Sequence, residues 1–285
     1  QKLKAFCAYP ALLLHLRRQK YEAVFHLEPG QKTRFRHWRD KLFFRLAGIK
    51  VQYSSTPFRK PRPTDRPLPR VESEADFYLR VLREYGRGSR AALPELLRLE
   101  TGEKEEGEWA EWLNRNPLPP DRIPVGVGIG SKMPAKQWPL DRFQPVLSNL
   151  LRENQVFPVF FGGSEDKEAA RALVSTLGNG ASACGELSLK GSIRGMRDMN
   201  YYLGNDTGTM HMAVAAGLRC VAVFSARDVP GKWEPSGEGH IVHRSSVECE
   251  GCMLTVCTEN KNKCLTGISA REVLASCRAL LQPKP

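Results

Sequence analysis

The chain has 285 residues, 41% of them hydrophobic and 8% aromatic; that is the profile of a soluble globular protein, long enough for two domains with a core each. It lacks any run of about 18 apolar residues, which excludes a bilayer-spanning helix. Lys and Arg outnumber Asp and Glu by 43 to 31, a net charge of +12, which favours anionic partners such as nucleic acid, acidic membrane or phosphorylated small molecules, although a solvated basic face alone gives the same excess.

QKLKAFCAYPALLLHLRR, from Gln1, reads as an amphipathic helix: its apolar stretch is broken by His15 and ends in arginines, with no small-residue cleavage site of the kind that follows a signal peptide. YEAVFHLE, from Tyr21, is strand-like. RFRHWRDKLFFRLAG is helical and closes on Gly48, and IKVQYS is again a strand. Thr56 to Pro69 is rich in proline and charge and reads as an extended loop. VESEADFYLRVLREYG returns to helical periodicity. LETGEKEEGEWAEWLNRNPLPPDR is polar and ends in prolines, which places a domain boundary there, between 1–118 and 119–285.

After Ile123 the rhythm becomes regular. Strands VGVGIG, VFPVFFGG, ASACG, YYLG and RCVAVF alternate with helices starting near Asp141, Glu165, Leu189 and Thr207, the pattern of a parallel sheet covered by helices. The glycines of VGVGIG, at 126, 128 and 130, do not follow the dinucleotide fingerprint G-x-G-x-x-G and read as strand packing.

Ligands of open parallel sheets bind beyond the carboxyl ends of the strands, and three such ends carry suitable chemistry. After VGVGIG come Ser131, Lys132 and Lys136, then Trp138-Pro139 at a helix start, where a lysine adds a point charge to N–H groups suited to phosphate. After VFPVFFGG come Glu165 and Asp166, as helix-capping acids or as acceptors for ribose hydroxyls. After YYLG come Asn205, Asp206, Thr207 and Gly208, with His211 in the next turn. Thr207 can cap, Gly208 lets a ligand approach the backbone, and Asp206, which would repel phosphate, suits a sugar hydroxyl. Together the three ends suggest a nucleotide bearing a diphosphate and a sugar.

Cys249, Cys252, Cys257 and Cys264 have the spacing C-x2-C-x4-C-x6-C before a last helix, ISAREVLASCRALL. The set can form a tetrahedral structural zinc site, remain as free thiols or form disulfides. The remaining cysteines are singletons in apolar segments, as in a reducing compartment.

NDTGTMHMAVAAG resembles the D-[ST]-G-x-x-H-x-A-A-x-G signature of the ADP-heptose:lipopolysaccharide heptosyltransferases, glycosyltransferase family 9. AKQWPLDRF is similar to that family's K-x-W-P segment, GELSLKGSIRGM to its L-x-x-L region, and YEAVFHLE and FFRLAGI to its N-terminal pieces. The resemblance implies an α/β fold of GT-B type with two Rossmann-like domains, an acceptor-side domain over 1–118 and a nucleotide-sugar domain over 119–285. It implies an inverting glycosyltransferase that moves a heptose or related sugar, with ADP-heptose as donor and no cofactor. It also implies a lipid-linked saccharide acceptor of the lipopolysaccharide core. Ser131 and Lys136 would hold the diphosphate, and Asp166 or Glu165 the ribose. Leu187 would pack on the base, the N–H groups of Thr207 and Gly208 would meet the phosphates, Asp206 the sugar, and His211 would support the loop. The family's opening strand and its Gly-Asp loop, source of the presumed catalytic aspartate, would lie upstream of Gln1, with the N-terminal domain incomplete in this chain. FSARD (Phe224 to Asp228) departs from the family's F-G-P-T, while KWEP keeps its W-x-P.

Two other classes compete with the transferase. One is a nucleotide-sugar-binding homologue without catalysis. The other is a nucleic-acid-binding protein, suggested by charge alone and unsupported by any motif, so that no nucleic-acid partner is expected. The net charge, the basic helix Arg34 to Arg45 and the lack of a spanning segment place the expected chain in the cytoplasm, peripheral at the anionic inner face of the bacterial cytoplasmic membrane.

Overall fold

A computed structural model describes residues 2–26, 34–54, 67–84, 98–154 and 156–281. It divides into two compact units, one of residues 1–64 and 77–89 and one of residues 65–76 and 90–285. Most of the proline-rich stretch from Thr56 lies outside the described residues.

In the first unit, helix α1 (Lys2–Gln19) precedes strand β1 (Ala23–His26), helix α2 (Arg34–Leu46) and strand β2 (Val51–Ser54). The chain leaves α2 through Gly48, whose φ of +86° is the left-handed geometry that glycine adopts without a Cβ penalty. β1 and β2 pair in parallel from Ala23↔Val51 to His26↔Ser54, and the rings of Phe25 and Tyr53 stack at 4.6 Å. Helix α3 (Glu74–Glu84) belongs to this unit from Phe77 on; its start falls among residues of the second unit, at Ser73, whose hydroxyl accepts the Asp76 N–H at 3.0 Å.

The second unit is built on six parallel strands among the described residues: β3 (Ile123–Gly128), β4 (Val156–Phe160), β5 (Ala181–Ser182), β6 (Tyr202–Asn205), β7 (Cys220–Phe224) and β8 (Ile241–Arg244), in the order β5-β4-β3-β6-β7-β8. Five of them answer to the expected strands. The edge strand β8, half-buried along its length, was not expected. β4 and β7 are buried at every position, as a sheet covered on both faces requires. Helices α5 (Leu140–Asn154), α6 (Lys167–Leu177) and α10 (Ala270–Leu281) supply Phe143, Leu147, Leu150, Leu173, Val273 and Leu280 to one core. Helices α4 (Glu103–Arg115), α7 (Leu189–Met196) and α8 (Gly208–Ala215) supply Trp109, Trp112, Ile193, Met196, Met210 and Ala213 to the other. A short helix, α9 (Lys263–Thr266), sits between β8 and α10.

The stretch read as a polar connector is therefore helix α4 over its central part. Of its acids, Glu106 pairs with Arg194 at 2.6 Å and Glu108 accepts from the Ser188 hydroxyl at 2.7 Å, while Trp109 and Trp112, one helical turn apart, are 1% and 0% exposed and stack at 4.7 Å. The strand-packing reading holds for Gly126 and Gly128, which lie in β3, but not for Gly130, which lies past the strand end where a Cβ would collide with the Asp166 carboxylate. A Cβ on Gly128 would stand 1.8 Å from the Tyr202 hydroxyl and one on Gly204 2.5 Å from it, so two neighbouring strands give up side chains to one buried tyrosine.

Candidate functional site

The sheet order reverses between β3 and β6. The chain builds outward from β3 through β4 to β5, then returns to lay β6 on the other side of β3. Loops leaving β3 and β6 diverge there, opening the crevice in which doubly wound sheets bind ligands. The first loop carries Ser131 and Lys136; the second carries Asp206 and runs straight into α8.

Lys136 Nζ lies 2.7 Å from Asp206 Oδ2, with side chains 13% and 4% exposed. The two residues that sequence reasoning gave to separate ligand groups thus hold each other. The registration is set by Asn205, fully buried at the end of β6. Its Oδ1 accepts the Trp138 N–H at 3.0 Å and its Nδ2 donates to the Ile129 carbonyl at 2.7 Å, tying the lysine loop to the strand that delivers Asp206. Asn205 was missed as a site residue. The signal was its place just before Asp206, where strand alternation turns the two side chains to opposite sides. The loop is further braced by Ala135 N–H donating to the Thr255 carbonyl at 3.0 Å and Gln137 Nε2 donating to the Ser131 carbonyl at 2.8 Å. Ser131 Oγ accepts the Met133 N–H at 3.2 Å, so the hydroxyl shapes the turn.

Burial pushes the Asp206 carboxyl above the usual carboxylate range; Lys136, and more weakly His211, pull it back, while Asp228 adds to the rise. His211 stands in the first turn of α8 with an edge open to solvent. Its crowded surroundings push the imidazole below its ordinary value, with Asp206 opposing that shift and Lys136 adding to it. Thr207 occupies the N-cap position of α8 but its hydroxyl makes no cap bond, contrary to expectation; the Oγ1 atom is buried without a partner. A Cβ on Gly208 would meet nothing within 4 Å. The α8 N-terminus, with its positive dipole end, therefore faces open space beside the ion pair.

At the end of β4, Asp166 caps its own turn, its Oδ2 accepting the Gly163 N–H at 3.1 Å. The carboxylate also leans across to the end of β3, where a Cβ on Gly130 would stand 1.9 Å from it. Desolvation raises its pKa, the Gly163 N–H opposing. Glu165 is exposed and folds over Gly163, and Leu187, half-buried, packs against the second core. Lys136, Asp206, Thr207, Gly208 and His211 are thus one cluster, with Asp166 at the neighbouring strand end.

The departure FSARD places a further acid near that cluster. Asp228, 7% exposed, accepts from the Val229 N–H at 2.8 Å and from Trp233 Nε1 at 3.0 Å. A cavity of about 400 Å³ opens beside Gly208 and His211, with Glu74, Met212, Lys232, Trp233 and Glu234 in its walls. Its size falls in the range of small-ligand pockets, about 300–1,000 Å³. Residues 67–74 hold one edge through the Val71 N–H on the Pro230 carbonyl and the Glu74 N–H on the Lys232 carbonyl, both at 2.9 Å.

The four clustered cysteines are free thiols that line one small cavity of about 10 Å³ with Ala135 and Arg227. No three Cys, His, Asp or Glu side chains gather closely enough to hold a metal ion among the described residues. The tetrahedral zinc site suggested by the spacing does not fit these side chains as they stand, and no chemistry is assigned to a metal. Among the described residues no helix is long and apolar enough to cross a membrane.

Residues 110–263 match glycosyltransferase family 9 (heptosyltransferase). Lipooligosaccharide heptosyltransferase 2 of Campylobacter jejuni subsp. jejuni serotype O:6 is 21% identical over 164 residues, covering 55% of this chain and 50% of that one, so the chain spans about half the length of the curated relatives it matches. The crystal structure of the glycosyl transferase family 9 from Veillonella parvula superposes with a TM-score of 0.68 at 25% identity, over 96% of this chain and 78% of that one. The structure of E. coli ADP-heptose lps heptosyltransferase II superposes at 0.60 with 20% identity, over 97% and 81%. The α/β fold with parallel sheets is that of these GT-B-like structures. With more than half its length matched, and with the signature residues standing together at the switch point of the sheet, the chain belongs to glycosyltransferase family 9.

Proposed function

We propose that the protein is a glycosyltransferase that moves a heptose or related sugar from ADP-heptose to a saccharide of the lipopolysaccharide core, with inversion and without a metal. The observation that carries this reading is the Lys136–Asp206 pair at the head of α8, 2.7 Å apart and nearly buried. A diphosphate entering the crevice competes with Asp206 for the Lys136 ammonium and meets the free N–H groups of Thr207 and Gly208. Asp206, released, accepts a hydroxyl of the sugar. Asp166 takes the ribose with Glu165 beside it, Leu187 packs on the base and Ser131 shapes the phosphate loop. In the transfer, the acceptor oxygen bonds to the anomeric carbon from the face opposite the phosphate. The carbon–oxygen bond to the diphosphate breaks and its electron pair leaves with the ADP, where Lys136 and the helix dipole stabilise the growing charge. The acceptor's proton passes to a base that none of these residues is assigned to be.

In this reading residues 119–285 form the donor-binding domain and 1–118 the acceptor side. The protein works in the cytoplasm against an anionic membrane surface, drawn by its net charge of +12. The test is incubation with ADP-heptose and deacylated core saccharide, following ADP release and the mass of the product. Transfer supports the proposal. ADP binding with neither transfer nor donor hydrolysis would instead make this a binding homologue without catalysis.

A further inference from the structure

Helix α2 turns an apolar stripe outward. Phe35, Trp38, Leu42 and Leu46 are 69%, 59%, 40% and 56% exposed. Steps of three and four residues put all four on one line along the helix, and the rings of Phe35 and Trp38 lie 6.1 Å apart. The stripe is not the helix's packing face. That face is the opposite one, where Phe43 meets Tyr9 of α1 edge-on at 6.1 Å and Phe44 meets His26 of β1 at 5.3 Å.

Charge completes the pattern. Lys41 and Arg45 are exposed along one side of the stripe. The single acid of α2, Asp40, has a side chain only 14% exposed, on the inward side, where it pairs with Arg39 at 2.5 Å. A helix meant for water alone carries charge outward and apolar groups inward; α2 has an apolar face on both sides, with cations along the outer one. Aromatic and aliphatic side chains bordered by Lys and Arg are the composition of helices that lie in the headgroup region of anionic bilayers. A nucleic-acid surface would have no use for Leu42 and Leu46.

We propose that α2 lies flat in the surface of an anionic bilayer, with Phe35, Trp38, Leu42 and Leu46 immersed and Lys41 and Arg45 at lipid phosphates. This rests on the reading that the protein works at a membrane face, and adds hydrophobic insertion at a named helix to what was electrostatic attraction alone. Four exposed positions carry it, so substitutions there spare both cores.

The experiment follows tryptophan emission and co-sedimentation with phosphatidylcholine vesicles with and without phosphatidylglycerol. Trp109, Trp112 and Trp138 are buried and Trp233 is half-buried, so only the part of an emission change that disappears in Trp38→Phe reports Trp38. The expected results are a blue shift on acidic vesicles, binding that weakens but survives in high salt, and at least about a tenfold loss of binding in Trp38→Ala/Leu42→Ser, because less apolar area leaves water. Binding that salt abolishes, with no shift and no effect of the double variant, overturns insertion and leaves the electrostatic reading standing. Absence of binding to any vesicle overturns both. A dimer in vesicle-free solution that the same double variant dissociates makes a second copy the occupant and overturns the proposal.

Discussion

Removing Lys136 should expose how the site is held together. Asp206 is 3% exposed and its partner ammonium is 2.7 Å away; deleting one member of a buried pair leaves an uncompensated charge, at a cost of about 3–5 kcal/mol. The carboxylate can escape that cost by taking a proton. Burial already holds Asp206 above its ordinary value with Lys136 as the main opposing influence, so Lys136→Ala drives it higher. A group whose folded pKa lies above its unfolded one adds stability in acid and loses it as pH rises through the folded value. The penalty of Lys136→Ala should therefore be small near the unperturbed carboxylate pKa, about 3.9, and grow toward neutral pH. Asp206→Ala should cost less at neutral pH, about 1–3 kcal/mol, because the longer Lys136 can bring its ammonium to water. Binding should split the other way. Lys136→Ala should weaken ADP by about 1.5–3 kcal/mol for a lost charged hydrogen bond, roughly ten- to over a hundredfold. Asp206→Ala should leave ADP unchanged or tighter while damaging binding of the intact nucleotide sugar. Urea unfolding at acid and neutral pH, with calorimetric titration of ADP and ADP-heptose, measures all of this. A pH-independent penalty in Lys136→Ala, or equal weakening of ADP by both substitutions, would refute the reasoning.

Asn205→Leu strands the Trp138 N–H and the Ile129 carbonyl, each at about 1–3 kcal/mol if left buried and unsatisfied, and should also loosen ADP by displacing Lys136; a variant that binds ADP like the parent would show that Asn205 does not position the lysine. Gly128→Ala should unfold the second unit or lower its stability severely, since the new Cβ would stand 1.8 Å from the Tyr202 hydroxyl, whereas Tyr202→Phe, which removes a buried hydroxyl without a partner, should be near neutral in thermal melts. Alkylation of the native protein near neutral pH should label Cys249, Cys252 and Cys257 ahead of Cys184, Cys220 and Cys277. Burial pushes Cys184 up to about 11 and Cys220 and Cys277 up to about 12, so labelling of these three at the same rate, read by peptide mass, would contradict the buried placement.

The alternation of strand and helix after Ile123 was legible because each strand is a short, nearly uninterrupted apolar run and each helix keeps one apolar face. Where those signals weaken, the sequence reading stopped. IVHR of β8 is half-buried, mixes charge with aliphatics and looks like loop. α4 hides two buried tryptophans among acids, and composition drowned their spacing. The site was legible in its residue types and in their positions at strand ends, because a carboxylate, a lysine and a glycine at such ends have few structural reasons to be there together. The joining of Lys136 to Asp206 was not legible, since seventy positions of chain separate them and only the reversal of strand order between β3 and β6 brings the two loops together. Asn205 was invisible for a related reason: its partners are backbone groups that precede it by 67 and 76 positions. The cysteine spacing suggested a tetrahedron; the folded loop brings the four thiols to one small cavity, but no three possible ligands gather as a metal site among the described residues.

The central claim is that the crevice between β3 and β6 receives a nucleotide diphosphate sugar. A crystal structure of the protein with ADP-heptose bound tests it most directly. The account predicts diphosphate oxygens at hydrogen-bond distance, about 3 Å, from Lys136 Nζ and the N–H groups at the start of α8, with Asp206 turned from the ammonium to a sugar hydroxyl. Nucleotide bound elsewhere on the chain, with the Lys136–Asp206 pair still closed, would contradict it.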